Sequence, residues 1–414
     1  MAKSETAAAS GGTSVVTVAL CCFIGVFEGF DLQAAGVAAP KLGPLFMMTP
    51  DQLGLFFSAS TFGLMVGAAI GGRASDRFGR KAVLIASIAA FGIMSICNGL
   101  ATSVDMLLAF RFLTGVGLGG ALPNLVALVN ENTAPARKNT AVGLLYAGLP
   151  TGGALVSLLS LVGAAENWQL VFHVGGIAPL LAVPLMILFL PESRQLKAVR
   201  TEQAEAKQGF LYALFQENRA ATTALLWVAF FLSLLTMYIL LNWLPTLLVD
   251  KGLTRPEAAL VQVAFNVFGA CASILTGVLM DRMSIRTVVA ISFATAALGL
   301  VLLTVAPAVI GVSLIVGGIV GGTMSMTQAL LYALAPANYP TTVRGTGVGS
   351  AVAIGRMGSA AGPILVGILR TGGVTSTQVM SMLVPVVVVA GAAAAVLAVS
   401  MNSAERRRSA VPAA

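Results

Sequence analysis

Charge is what this chain has least of. Only 10% of its 414 residues are Asp, Glu, Lys or Arg, against about 25% in an ordinary soluble domain. With 57% hydrophobic residues and a mean hydropathy of +0.92, that scarcity excludes a soluble fold. There is one histidine, His173, and it reads as a satisfied helix residue rather than a pH sensor. The four cysteines, Cys21, Cys22, Cys97 and Cys271, all fall in apolar segments. Their spacing suits neither a metal site nor a disulfide between loops. No H-E-x-x-H, G-x-S-x-G or Walker pattern occurs, which argues against an intramembrane enzyme. No soluble signalling domain accompanies the apolar segments, which argues against a sensor without flux.

What the chain has instead is apolar length. A spanning helix needs about 20 apolar residues, and twelve candidates occur: 15–39, 53–74, 82–101, 105–130, 140–162, 168–190, 221–246, 257–280, 286–305, 309–334, 345–369 and 378–402. The 45 glycines suit close approach of membrane helices. No cleavage pattern follows the first segment, so it reads as a retained helix and not a signal peptide. The expectation is an all-α polytopic membrane protein. Its parts are a first six-helix bundle (1–190), a polar linker (191–220), a second bundle (221–402) and a tail (403–414).

The basic residues orient it. Most of the 24 Lys and Arg fall on one face of the expected topology, including Arg73, Arg77, Arg80, Lys81, Arg137, Lys138, Arg344 and the tail Arg406–Arg408. Lys41, Lys251, Arg255 and Arg370 fall on the other. The positive-inside rule then places both termini in the cytoplasm. The same rule explains the net charge of +8 without invoking nucleic acid.

The halves repeat. Gly72-Arg73-Ala74-Ser75-Asp76-Arg77-Phe78-Gly79-Arg80-Lys81 follows the second segment, and Gly277-Val278-Leu279-Met280-Asp281-Arg282 follows the eighth. Arg137 before the fifth segment corresponds to Arg344 before the eleventh. Two repeated bundles imply a central site near the midplane.

Few ionisable side chains lie well inside the spans: Glu28 and Asp31 in the first, Arg111 in the fourth, His173 in the sixth, Arg356 in the eleventh. A charge at such depth costs about 2.5–3.5 kcal/mol on insertion scales, so it marks a pathway or a partner. Glu28 and Asp31 are three apart and share a helix face. They read as proton carriers or as members of buried ion pairs. Arg356, flanked by Gly355 and Gly358, reads as a fork for a substrate carboxylate or as the acids' partner across the bundles. Asn124, Tyr238, Asn242, Trp243, Asn266, Gln328 and Tyr332 are polar or amphipathic in spans. They are candidates for ring contacts or for interhelical hydrogen bonds; Tyr238 and Asn242, one turn apart, rank first.

The segment Gly72–Lys81 resembles the G-x-x-x-D-R-x-G-R-K loop of the major facilitator superfamily. Arg111–Gly120 and Pro191-Glu192-Ser193 are similar to further signatures of that superfamily. Glu28-Gly29-Phe30-Asp31 resembles the first-helix motif of the aromatic acid:proton symporters, some of which have Asp where this chain has Glu28. Within that family, the stretches 28–36, 115–128, 242–245, 332–336 and 344–356 look most like the hydroxyphenylpropionate transporters.

The resemblance implies two bundles rocking around the site in a bacterial inner membrane. It implies import of an aromatic carboxylate by a monomer, with protons as coupling ion and no other cofactor. Asp31, Glu28 and Arg111 would serve proton coupling. Gly72, Asp76, Arg77, Gly79, Arg80, Glu131, Arg137, Asp281, Arg282 and Arg344 would form a cytoplasmic latch. In it, Asp76 would face the start of the eleventh helix and Arg77 and Arg80 would pair with Glu131, contacts that would break on opening. Gly358–Pro363 resembles an antiporter G-x-x-x-G-P signature but sits in the eleventh helix. The competing reading is an exporter or antiporter of organic anions or drugs on the same fold.

Overall fold

The computed structural model describes residues 14–134, 137–161, 167–192, 214–216, 219–340 and 343–409, apart from the side chains at 76, 122, 123, 138, 139 and 400–409. Among them are twelve helices long and apolar enough to cross a membrane. The first six are α1 (Val15–Leu45), α2 (Pro50–Phe78), α3 (Arg80–Gly99), α4 (Val104–Glu131), α5 (Lys138–Leu159) and α6 (Trp168–Phe189). The second six are α7 (Ala220–Asp250), α8 (Arg255–Arg282), α9 (Ile285–Val305), α10 (Ile310–Ala337), α11 (Arg344–Thr371) and α12 (Ser376–Ser409). The first helix outruns its expected end at residue 39, continuing through Pro40 and Pro44. Prolines are tolerated in spanning helices when neighbours satisfy the freed carbonyls.

The sequence repeat reappears as repeated packing. In the first half α2 packs on α4, α1 on α5 and α3 on α6. Six helices later, α8 packs on α10, α7 on α11 and α9 on α12. Without a hydrophobic force between helices in lipid, contact depends on close backbone approach. A Cβ on Gly115 would lie 1.9 Å from the Ser60 carbonyl oxygen, and one on Gly63 1.9 Å from that of Phe112, so α2 and α4 touch backbone to backbone.

The halves meet through α2 with α11, α5 with α8, and α1 with α7. Call the end bearing Arg73–Lys81 the basic end and the opposite one the far end. At the far end the halves are sealed. Gly54 packs on Pro363 and Gly367. The Ser58 hydroxyl donates to the Ala360 carbonyl at 2.6 Å, and Trp243 stacks edge-on to Phe57 at 5.1 Å while donating to the Pro363 carbonyl. Gln33 exchanges amide hydrogen bonds with Asn266 at 2.8 and 2.9 Å and accepts one from Gln262.

Towards the basic end the same faces come apart. Gly72 lies about five turns along α2 from Gly54, and Gly349 about five turns along α11 from Gly367. Neither has an atom within 4 Å of a built Cβ, and Gly345, Gly143 and Gly277 are equally open. A cleft therefore runs between the bundles and opens at the basic end. A valine at Gly115 must push α2 and α4 apart. We expect Gly115→Val to lower the melting temperature of detergent-solubilised protein by several degrees or prevent folding, and Gly143→Ala to leave it unchanged or slightly higher.

Candidate functional site

The cleft floor is built around α1, whose middle, Glu28 to Ala35, is wholly buried. Asp31 and Arg111 are each 1% exposed and form an ion pair inside the first bundle. One guanidinium nitrogen, Nη1, donates to both carboxylate oxygens at 2.9 Å, and Nη2 donates to the Asp31 backbone carbonyl at 3.3 Å. The Phe56 ring lies 5.8 Å from the guanidinium carbon. Three donor contacts in fixed geometry offset the cost of burying both charges. Asp31 thus finds its partner on α4, not on α11.

Glu28 sits one turn nearer the basic end and is equally buried, yet neither carboxylate oxygen has a hydrogen-bond partner. Arg356, across the cleft on α11, is within electrostatic reach of it but not in contact. Arg356 donates from Nη1 to the Tyr238 hydroxyl at 2.6 Å, which fixes the guanidinium against α7. A carboxylate and an arginine that face each other without pairing leave room for a third charged group between them.

Aromatic rings close the sides. Tyr332 on α10 stands edge-on to Phe230 of α7, with centroids 5.3 Å apart at 89°. Tyr146 on α5, in the same bundle as Glu28, lies within electrostatic reach of Glu28 and of Arg356 and Tyr332 in the other bundle. Tyr332 is 38% and Tyr146 43% exposed. Sequence reasoning missed Tyr146: one aromatic in an apolar helix carries no periodic signal. Gln328 lies one turn deeper than Tyr332 on the same face of α10, with both ends of its amide buried and unpartnered.

Three ring-contact candidates are used elsewhere; one of them, Trp243, belongs to the far-end seal. The Asn124 amide donates to Ser75 and to the Gly120 carbonyl, both at 2.8 Å. It lies thirteen residues from Arg111, about 20 Å along α4, so it ties α4 to α2 instead of reaching the site. Asn266 belongs to the far-end seal. Asn242 donates to the Tyr238 carbonyl, its other amide atom bare, where Gly36 of α1 packs on its backbone. His173 lies against Gly99 between α3 and α6.

The basic loop corrects one expectation. Arg80 pairs with Glu131 even though the basic end is open. Both belong to the first bundle, so parting of the bundles does not strain the pair, and it is a brace within one half. Arg77 lies over the Phe78 ring and is exposed. Gly79 takes φ +95° between α2 and α3, a left-handed position that suits glycine. Glu192 reaches over it to accept from the Lys81 backbone N–H at 3.2 Å, an anion at a helix N-terminus. Arg344 donates to the Tyr339 carbonyl. Asp281, Arg282 and Arg137 are exposed. The side chain of Asp76 lies outside the described residues.

Comparison with known proteins agrees with this architecture. The Major Facilitator Superfamily model matches residues 21–363 and 226–412. The chain is 40% identical, over 95% of its length and 96% of the relative's, to a 3-(3-hydroxy-phenyl)propionate transporter of Escherichia coli (strain K12). It is 33% identical to a gallate transporter of Pseudomonas putida, over 84% of each chain. It is 32% identical to the 4-hydroxybenzoate transporter PcaK of Acinetobacter baylyi, over 93% of this chain and 90% of that one. Among solved structures, a D-xylose-proton symporter superposes with a TM-score of 0.72 at 16% identity, over 93% of this chain and 96% of that one. A bacterial homolog of the human lysosomal transporter Spinster gives 0.71 at 17%, over 95% and 99%. Twelve spanning helices in two repeated halves, a cleft between them and these matches together make this chain a multi-pass membrane protein of the Major Facilitator Superfamily, a transporter and not an enzyme.

Proposed function

We propose that the chain imports an aromatic carboxylate together with protons, working as a monomer in a bacterial cytoplasmic membrane with the basic end and both termini inside. The observation that carries the reading is the facing pair Glu28 and Arg356. Glu28 is buried with no hydrogen-bond partner, and Arg356 is half-buried on the facing helix.

The coupling follows from charge. With Glu28 ionised, its field holds Arg356 and opposes a second carboxylate. A proton on Glu28 removes that competition, and Arg356, braced by Tyr238, takes the substrate carboxylate through its planar fork. Tyr332 and Tyr146 offer flat apolar faces to a ring on either side of that charge. A monoanion carried with one proton moves no net charge; each further proton would add about 2.3 kcal/mol of drive per 100 mV. Once the cleft opens inward, the acid leaves and Glu28 gives up its proton. Asp31 with Arg111 positions α1 against α4, so that Glu28 stays in register with Arg356. The names of the curated relatives, all transporters of aromatic acids in the three compared above, support the substrate class.

Three outcomes test this. Arg356→Ala should weaken binding of hydroxyphenylpropionate at least about thirty-fold, since it leaves the acid's charge buried and unpaired; unchanged affinity by scintillation proximity would remove Arg356 from the site. Glu28→Gln should keep substrate exchange between proteoliposomes and medium but lose pH-driven accumulation; accumulation at the wild-type level would take Glu28 out of coupling. Asp31→Asn should behave differently, destabilising the protein by about 3–5 kcal/mol by stranding Arg111. A thermal-melt comparison separates the two acids, because Glu28→Gln removes an unpartnered charge and should not lower the melting temperature.

A further inference from the structure

We propose that the amide cluster of Gln33, Gln262 and Asn266 is a two-state lock that sets which end of the cleft is open, with Gly153 as its socket. The inference rests on the rocking of the two halves and not on which acid is carried. Gln33 belongs to α1 of the first half, Gln262 and Asn266 to α8 of the second, and all three are buried. Three side-chain hydrogen bonds cross between the halves here. Gln33 Nε2 donates to Asn266 Oδ1 at 2.9 Å, and Gln33 Oε1 accepts from Asn266 Nδ2 at 2.8 Å and from Gln262 Nε2 at 2.9 Å.

Each side of the lock is held by its own half. Asp31, two residues before Gln33, is fixed to Arg111 of α4, so Gln33 moves with the first bundle. Asn266 also donates to the Gln262 backbone carbonyl at 2.9 Å, which ties the two α8 amides together. Neither side can follow the other when the halves part, and the three bonds break as a set. The cluster is therefore all-or-none, as a bistable interface requires. It is also limited in strength. Gln262 Oε1 is enclosed without a partner in this arrangement, and that stranded acceptor offsets part of the gain from the three bonds. Closure is held weakly enough to be reversed. Room for the cluster comes from α5: a Cβ on Gly153 would collide with the Gln33 amide and lie 2.6 Å from Asn266 Oδ1. Beyond the lock, toward the far end, Val37 and Pro40 of α1, Pro245 of α7 and Ala259 of α8 line a small closed space. That space joins the medium only when the lock is broken.

The test is the rate at which a charged thiol reagent labels single cysteines on the full-length chain in detergent, its four native cysteines replaced by alanine. One site is Val37→Cys, beyond the lock; the other is Gly349→Cys, at the open basic end. With the lock intact, Val37→Cys should label at least about ten-fold more slowly than Gly349→Cys. Adding Gly153→Ala, or separately Asn266→Leu, should raise the rate at Val37→Cys at least about ten-fold and lower the rate at Gly349→Cys, because opening one end closes the other. A loosened fold would raise both rates, so a rise at both sites overturns the inference, as do unchanged rates in both variants. Equal rates at the two sites with the lock intact overturn it even if neither variant folds. No substrate enters the measurement, so failure of the aromatic-acid reading would leave its result standing.

Discussion

The structure depends on how four charged side chains inside the membrane spans are divided. In a bilayer core an unpaired charge is expensive, and an ion pair recovers that cost only with close geometry and further hydrogen bonds. Asp31 and Arg111 meet those conditions within the first bundle. Glu28 and Arg356 do not, and they stand on opposite sides of the cleft. The first pair belongs to one half in every arrangement of the two bundles. The second is divided between the halves, so its energy changes with the occupant of the cleft and with the distance between the bundles. That division separates what holds the fold from what the fold uses.

The same separation runs through the packing. Backbone contacts, as between Gly115 and Ser60, fix helices within a bundle and leave no room for adjustment. Contacts between bundles are built differently. At the far end they are glycine faces, one hydroxyl-to-carbonyl bond, the Thr371 hydroxyl on the Asp51 carboxylate, an aromatic edge contact and an exchange of amides. Such contacts can be broken without leaving a buried charge behind, because the one carboxylate among them, Asp51, lies at the surface. At the basic end the corresponding glycines of α2 and α11 face open space, and they supply a surface with no side chain to obstruct closure. Two rigid halves with a breakable seal at one end and a vacant, smooth-faced gap at the other suit a rocking exchange of access to a midplane site.

Hydropathy and the repeat made most of the fold legible. Twelve apolar runs gave twelve helices, because in lipid a segment of that length has little alternative to a helix. The ends were less legible: Pro40 reads as a stop by soluble rules, yet α1 runs on to Leu45. Within the site, the charged residues stood out because charge in a span is rare. Their pairing did not, since Asp31 and Arg111 are 80 residues apart and nothing local links them. Polar residues were harder still. Asn124 and Gln328 look alike in sequence, but one spends its amide on Ser75 and the other on nothing. Arg80 and Glu131 were legible as a pair but not as a brace, because the repeat does not say which contacts cross between halves.

The central claim is that acid and proton move together through the Glu28–Arg356 cleft. The most direct test is to add hydroxyphenylpropionate to weakly buffered, de-energised proteoliposomes of the wild-type chain while recording external pH and uptake of the labelled acid at once. The account predicts alkalinisation of the medium in fixed proportion to acid taken up, at least one proton per molecule, and none in protein-free liposomes. Uptake of the acid with no accompanying pH change, or acidification of the medium as the acid enters, would contradict it.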